Sequence, residues 1–362
     1  MNASTSILRA LLKRGDVLEQ FSEAQTREVL RILEQANDEI VGKIASTKGA
    51  GTREWLGAVK ADIDEIYRAA MERARVKSFG ALHDLAEDEL AVTAETLDRY
   101  ALGVSFATPS TRGLWASITA LPAAEGSTLA ELFDAMRIGS SKAVVQALQA
   151  GMAEGETIDQ MVRRVRGEVV KPARWARDEN GKKVRIPGEY SGGAMDTTTQ
   201  GARALVRTAT MHVSNAAREA LYQDNADIIK GFQHVATLDA DACLVCGVYD
   251  GTVYGLNEAR PALPLHPHCR CLYVPVLKSW QELGIALKEA PAGTRASMDG
   301  QVPENETYSD RLRKASPERR IAMLGPSRAR LYEQGVPLSA MVEGGKILTL
   351  DDIAQRSKKG EA

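Results

Sequence analysis

The chain has 362 residues, 44% apolar and only 5% aromatic, with a formal net charge of −2. That length exceeds one ordinary core and calls for two or three domains, while few aromatics beside many Ala, Leu, Glu and Arg favour helices packed through small aliphatic faces. No apolar run approaches the ~18 residues of a membrane span, and the opening MNASTSILRALLKRGDVLEQ has too short an apolar core for a signal peptide, so a soluble chain kept in a reducing cytoplasm, away from membrane, is expected.

Residues 1–150 read as a helical region. In TREVLRILEQANDEIVGKIAS, Val29, Leu33, Ala36, Ile40 and Ile44 share one face at spacings of three and four, with Thr26 in the position of an N-cap. KGAG at 48–51 breaks that helix. Thr52 then caps a second, with Trp55, Val59, Ile63 and Ile66 in line, and the pattern continues from Arg68 to Tyr100. SFATPSTRG at 105–113 is a loop, and Glu131 to Leu148 is helical again. Thr157 caps a short helix bearing Ile158, Met161, Val162 and Val165. These stripes are read as core faces.

Residues 151–197 hold that helix and a basic hairpin arm. Between Arg163 and Arg185 lie nine basic residues (Arg163, Arg164, Arg166, Lys171, Arg174, Arg177, Lys182, Lys183 and Arg185) against three acidic ones, and Asn180-Gly181 is a tight-turn pair. Such an arm offers contact to a phosphate backbone. With only Trp175 and Tyr190 as aromatics, base stacking has little support.

From Thr198 to Asn225 one long helix is expected, with Leu205, Ala209, His212, Ala216 and Ala220 on a narrow face and His212 as a hydrogen-bonded core histidine. The period then changes to two. Lys230 to Ala240, Val253-Tyr254 after the Asp250-Gly251 turn, and Arg270 to Leu277 read as strands of a small sheet. Residues 278–307 are rich in Pro, Gly and charge and read as a flexible connector. Residues 308–362 form a tail of short helices. The fold class is therefore α+β and mainly α-helical: an N-terminal helical region, a long helix, a small β-sheet domain over 198–277 with a Cys/His cluster, and a helical tail.

That cluster holds every cysteine of the chain: Cys243-x-x-Cys246, then His266-Pro-His268-Cys269-Arg-Cys271. A Cys-x-x-Cys turn brings two sulfurs to one point, and a second ligand pair about twenty residues on is the spacing of structural zinc elements. The preferred set is Cys243, Cys246, His266 and Cys269, with Cys271 the first reserve and His268 the second. If 270–277 is a strand, Cys269 and Cys271 point to one face. A structural Zn2+ would staple an element with little core of its own. No catalytic set is complete. The His-x-Glu of zinc deaminases and the Asp-His pair of HNH-type nucleases are missing from the sequence, as are phosphate loops, so no enzyme is expected. An HNH-like nuclease or a plain DNA-binding module are the alternatives.

The run ATLDADACLVCGVYDGTVYGL…LPLHPHCRCLYVPV resembles the phage Mu F-like minor head proteins, the phage head morphogenesis family. Asp239, Cys243, Cys246, Asp250, Gly251, Pro264, His266, Pro267, Cys269, Arg270 and Cys271 match its signature, and Arg207-Thr208 with Asn215-Ala-Ala-Arg218 are similar to its helix motif. Ala242 and Ala209 depart from it. The resemblance is most specific over about 200–277 and extends to 308–353. It implies a structural minor head protein of a tailed bacteriophage, a virion component assembled in the host cytoplasm near the portal vertex. Such a protein assists head morphogenesis and DNA packaging or ejection. The implied partners are the portal protein, the major capsid or scaffold protein, and phage genomic DNA.

Overall fold

A computed structural model describes residues 3–101, 104–172, 174–177, 181–186, 189–239, 242–286, 288 and 291–359. The described residues form a mainly helical α+β chain, as the sequence patterns imply. The helices are α1 (Ala3–Ser46), α2 (Arg53–Tyr100), α3 (Leu114–Ala120), α4 (Leu129–Ala153), α5 (Ile158–Arg166), α6 (Ala194–Asp224), α7 (Leu244–Tyr249), α8 (Tyr308–Lys314), α9 (Pro317–Leu324), α10 (Pro326–Glu333) and α11 (Leu350–Lys359). Small antiparallel sheets lie between them: β1 (Glu168–Lys171) with β4 (Glu189–Ser191), β2 (Arg174–Arg177) with β3 (Lys183–Ile186), β5 (Ile229–Val235) with β6 (Val253–Gly255) and β7 (Leu272–Leu277), β8 (Thr294–Ser297) with β9 (Gly300–Pro303), and β10 (Val342–Glu343) with β11 (Lys346–Ile347). Among the described residues no helix is long and apolar enough to cross a membrane.

The chain divides into two compact units, one of 1–19, 83–127 and 208–362, the other of 20–82 and 128–207. In the second unit the stripes of α1 and α2 meet as expected: Val29, Leu33, Ile40 and Ile44 are buried with Trp55, Val59, Ile63 and Tyr67 in one core. Thr52 caps α2, its Oγ1 accepting from Trp55 N at 3.1 Å. Thr128 and Thr157 close capping boxes with Glu131 and Gln160 at the starts of α4 and α5. Thr26 is no cap. It is buried within α1, because the apolar pattern runs on towards the N-terminus through Leu18, Leu11 and Ile7 with no Gly or Pro strong enough to stop it.

The basic stretch folds as two antiparallel pairs, β1–β4 and β2–β3, the second nested in sequence inside the first, so a hairpin arm is present. Asn180 lies outside the described residues. Gly181 has φ 74°, the left-handed turn geometry that glycine adopts without strain.

In the first unit α6 is wrapped by protein. Val213, Ser214, Asn215, Ala217, Arg218, Leu221 and Tyr222 are all buried, a much wider face than the narrow stripe of small residues expected, of which Ala216 and Ala220 are only half-buried. Beside it the three-stranded sheet has the order β6-β5-β7, with Phe232 opposite Tyr254 and Pro275 and His234 opposite Tyr273. Residues 294–303, within the expected connector, are the β8–β9 hairpin, and Arg295 is buried. Arg295 reaches Asp250 at 3.2 Å and the Ala236 carbonyl at 2.6 Å. Asp250 also accepts from Ala236 N at 2.9 Å and Tyr308 N at 2.8 Å, so one carboxylate ties the sheet, the hairpin and the tail together. Gly251 turns the chain after it at φ 84°. At Gly247 a Cβ would stand 2.3 Å from the Tyr308 ring, so only glycine lets α7 sit against α8.

His234 is fully buried between the Tyr249 and Tyr273 rings, and neither ring nitrogen has a hydrogen bond. Burial drives its pKa down to about 4. Phenylalanine fills the same space without the two unpaired nitrogens, so His234→Phe is expected to raise the unfolding free energy by about 1–3 kcal/mol at pH 7. His234 is neutral when folded, so its share of stability is complete above the unfolded pKa near 6.5 and is lost as pH falls towards 4. The advantage of the variant therefore widens over that window. Urea unfolding of both proteins at pH 7 and pH 5 checks it; equal stability at both values would refute the argument.

Candidate metal centre

Three short elements deliver the cysteines. Cys243 occupies the N-cap of α7, where its Sγ accepts from Cys246 N at 3.4 Å. The loop before β7 carries His266 and Cys269, which a turn brings together through Cys269 N to His266 O at 3.1 Å. Cys271 stands immediately ahead of β7. The strand begins at Leu272, so Cys269 and Cys271 are not strand neighbours on one face. They meet the cluster because the loop curls around it.

His266 Nε2 lies 3.1 Å from both Cys243 Sγ and Cys246 Sγ, and Cys246 Sγ lies 3.8 Å from Cys269 Sγ. Two groups of donors result, each with its atoms within 4.8 Å of one another: Cys243, Cys246 and His266, and Cys246, Cys269 and Cys271. Cys246 belongs to both. His266 Nδ1 donates to the Pro267 carbonyl at 2.7 Å, which turns Nε2 to the sulfurs, where it donates to the Cys243 thiolate and would become a metal ligand on giving up its proton. None of the four cysteines is in a disulfide. His268 belongs to neither group; it is exposed, at φ 63°.

The protons of the cluster are unevenly shared. Hydrogen bonds from Cys246, then His266, hold the Cys243 thiol down to about 4, while Cys246 is pushed far up because it holds its proton between the other sulfurs. Cys269 is held down to about 2 by Cys246 and Cys271. Against the Cys243 thiolate, His266 rises to about 9. The cluster therefore carries anionic sulfur in a largely buried place, where a cation is the natural counter-charge. The fit to a metal rests on donor chemistry and spacing: sulfurs bound tetrahedrally at ~2.3 Å stand roughly 3.8 Å apart, as Cys246 and Cys269 do. The site can hold a metal ion.

Residues 142–274 match the model of the family described as Phage Mu protein F like protein. This segment is Mu F-like. The match encloses the whole cluster and, unlike the sequence resemblance, reaches back through part of α4, α5 and the basic arm; the tail lies outside it. No curated protein and no solved structure gives a match. Within the Mu F-like segment the signature residues outside the cluster have roles too. Arg270 forks onto Asp239 at 2.6 and 2.8 Å, closing the loop over the cluster. Both stood in the sequence motif, opposite charges flanking the cysteines. Arg218 pairs with Glu89 at 2.7 Å. His212 is a core histidine, its Nε2 3.1 Å from the Ile118 carbonyl.

The nine basic residues do not form one surface. Arg163, Arg164 and Arg166 sit on α5. Arg164 forks onto Glu156 and also meets Glu154, and Arg166 bonds Asp38 at 2.6 Å while stacking on Tyr190 at 4.4 Å. Lys171, Arg174, Arg177, Lys182 and Lys183 lie along the arm and are exposed. There Arg177 reaches the Gly181 carbonyl at 2.7 Å, and Lys183 covers the Trp175 ring at 5.0 Å. The side chain of Arg185 lies outside the described residues.

Proposed function

We propose that the chain is a structural head protein of a tailed bacteriophage, with a zinc-stapled Mu F-like segment and a basic arm that touches DNA phosphates. The observation that carries this reading is the family match over 142–274 enclosing a largely buried five-donor cluster. A catalytic zinc keeps an open position for water. Here five sulfur and nitrogen donors compete for four places, and Cys246, Cys269 and Cys271 are buried, which suits a closed structural site. Zinc fits such a sulfur-rich set better than magnesium, calcium or manganese. Placement near the portal vertex, partnership with portal and capsid or scaffold proteins, and service in packaging or ejection follow from what the family resemblance implies. The exposure of Lys171, Arg174 and Lys183 supports contact with the packaged genome.

The experiment is a salt titration of binding to a duplex of arbitrary sequence, with supercoiled plasmid incubated in parallel with and without chelator. Affinity is expected to fall steeply with salt, and the double variant Arg174→Gln/Lys183→Gln to reduce the log–log slope by about 0.9 for each lost phosphate contact. Intact plasmid under both conditions is expected. A slope unchanged by the variant removes the arm from the reading. Metal-dependent nicking that disappears in His266→Ala replaces the structural role with a nuclease.

A further inference from the structure

A second cleft lies against α6, lined by none of the cysteines. A half-open cleft of about 240 Å³ is bounded by His212, Asn215, Ala216 and Glu219 of α6 and by the loop carrying Arg260 and Leu263. His212 is 2% exposed and Asn215 5% exposed. Both have their donors spent on backbone carbonyls. His212 Nε2 faces the Ile118 carbonyl at 3.1 Å and the ring also bonds the Leu263 backbone, so the imidazole is spent within the fold. Asn215 Nδ2 donates to the carbonyls of Met211 at 2.9 Å and Cys271 at 3.2 Å, which fixes the amide and leaves Oδ1 as an acceptor. Asn215 Oδ1 has no hydrogen bond. The α6 wall therefore offers one buried acceptor, Asn215 Oδ1, which costs free energy until a donor fills it.

The cleft has a charged side and an apolar lip. Glu219 is paired with Arg260, whose guanidinium lies 4.0 Å over the Phe232 ring and is held there. Glu258 adds a second carboxylate at the rim, so the lining carries two acids and one base. Leu121, 47% exposed, stands at the edge beside Pro122 and Ala262. A single water occupies ~30 Å³, far less than this space. A buried acceptor, a net negative lining and an exposed apolar lip together select a group with N–H donors, a positive charge and a short hydrocarbon stem.

We propose that this cleft binds a primary alkylammonium group, its N–H donors directed at Asn215 Oδ1 and the Glu219 carboxylate and its stem along Leu121 and Pro122. The probe is n-butylammonium chloride, with 1-butanol as the neutral comparator of equal stem length, both titrated into the full chain at pH 7 by calorimetry and by amide chemical-shift changes. Saturable binding of butylammonium, at least tenfold tighter than butanol, is expected. Ala216→Met, which fills the cleft and leaves every polar group in place, abolishes it. Glu219→Gln weakens it about tenfold, the size of one charge-assisted hydrogen bond. Circular dichroism verifies that each variant is folded; should Ala216→Met unfold, the Glu219→Gln and butanol comparisons decide alone. Binding of butanol as tight as that of butylammonium, binding unchanged by Glu219→Gln, or no saturation overturns the proposal and leaves the cleft to ordered water.

Discussion

Cys246→Ser is expected to strip the metal from the protein and to lower the unfolding free energy of the Mu F-like segment by several kcal/mol. Cys246 is the one donor common to both groups, so its loss leaves two separate pairs, Cys243 with His266 and Cys269 with Cys271, and no sulfur that joins them. Structural zinc contributes about 10–16 kcal/mol of apparent binding free energy to zinc-finger peptides that have no core of their own. The loss here is smaller, because Phe232, Val235, Leu272 and Tyr273 are buried around β5 and β7 and keep part of the sheet without metal. Serine differs from cysteine by one atom, so packing alone accounts for little of the effect. The control is wild-type protein treated with chelator, which is expected to unfold at the same denaturant concentration as the variant. Cys271→Ser is expected to keep one ion per chain, since Cys243, Cys246, His266 and Cys269 then supply a full tetrahedral set. Metal content and urea midpoints of the three proteins measure this directly. A Cys246→Ser protein that retains a full complement of metal, or a chelated wild type more stable than the variant, refutes the staple.

The contrast between what the residues announced and what they concealed follows from the range of each signal. Thr52 and Thr157 were legible as caps because a cap is satisfied within three residues, as Trp55 N to Thr52 Oγ1 shows. The alternation through Phe232 and His234 announced β5 for the same reason, and the Cys/His spacing announced the cluster. Thr26 misled because the cap signal of a Thr ahead of an acidic residue recurs inside helices, and only the apolar stripe continuing through Leu18 and Leu11 decides between the two. Asp250 was visible as the first half of an Asp-Gly turn. Its ion pair with Arg295 spans 45 positions and lies in a stretch whose Pro, Gly and charge read as a connector. No local pattern marks an arginine that folds inward. The same holds for the basic arm: composition collected nine positive charges, but Arg164 and Arg166 are consumed by Glu156 and Asp38, partners that only the fold brings near.

The buried pair of Glu89 and Arg218 is the extreme case of such a long-range partnership, and its removal is expected to have the largest effect of any single substitution outside the cluster. Glu89 is 0% and Arg218 1% exposed at the side chain. The Glu89 carboxylate meets Arg218 at 2.7 Å, accepts from Ser214 Oγ at 2.9 Å, and is bonded by Arg14 Nε, so α1, α2 and α6 converge on one group. Glu89→Ala leaves the Arg218 guanidinium in the interior with no acid beside it, and its Nε and Nη1 already lack hydrogen bonds. An unpaired buried charge of this kind costs about 3–5 kcal/mol, which at ~2–4 °C per kcal/mol places the melting temperature roughly 10 °C lower. Arg218→Ala is expected to cost less, because Glu89 keeps Arg14 and Ser214. The double variant Glu89→Met/Arg218→Met is expected to recover most of the loss, since two apolar side chains of similar length replace two charges that had to be desolvated. Urea unfolding of the four proteins closes the cycle, and the coupling energy between the two positions is the deciding quantity. If Glu89→Ala and Arg218→Ala cost the same and their effects simply add, the carboxylate is not the junction of the three helices, and Asn215 and Arg218 of the helix motif owe their places to packing instead.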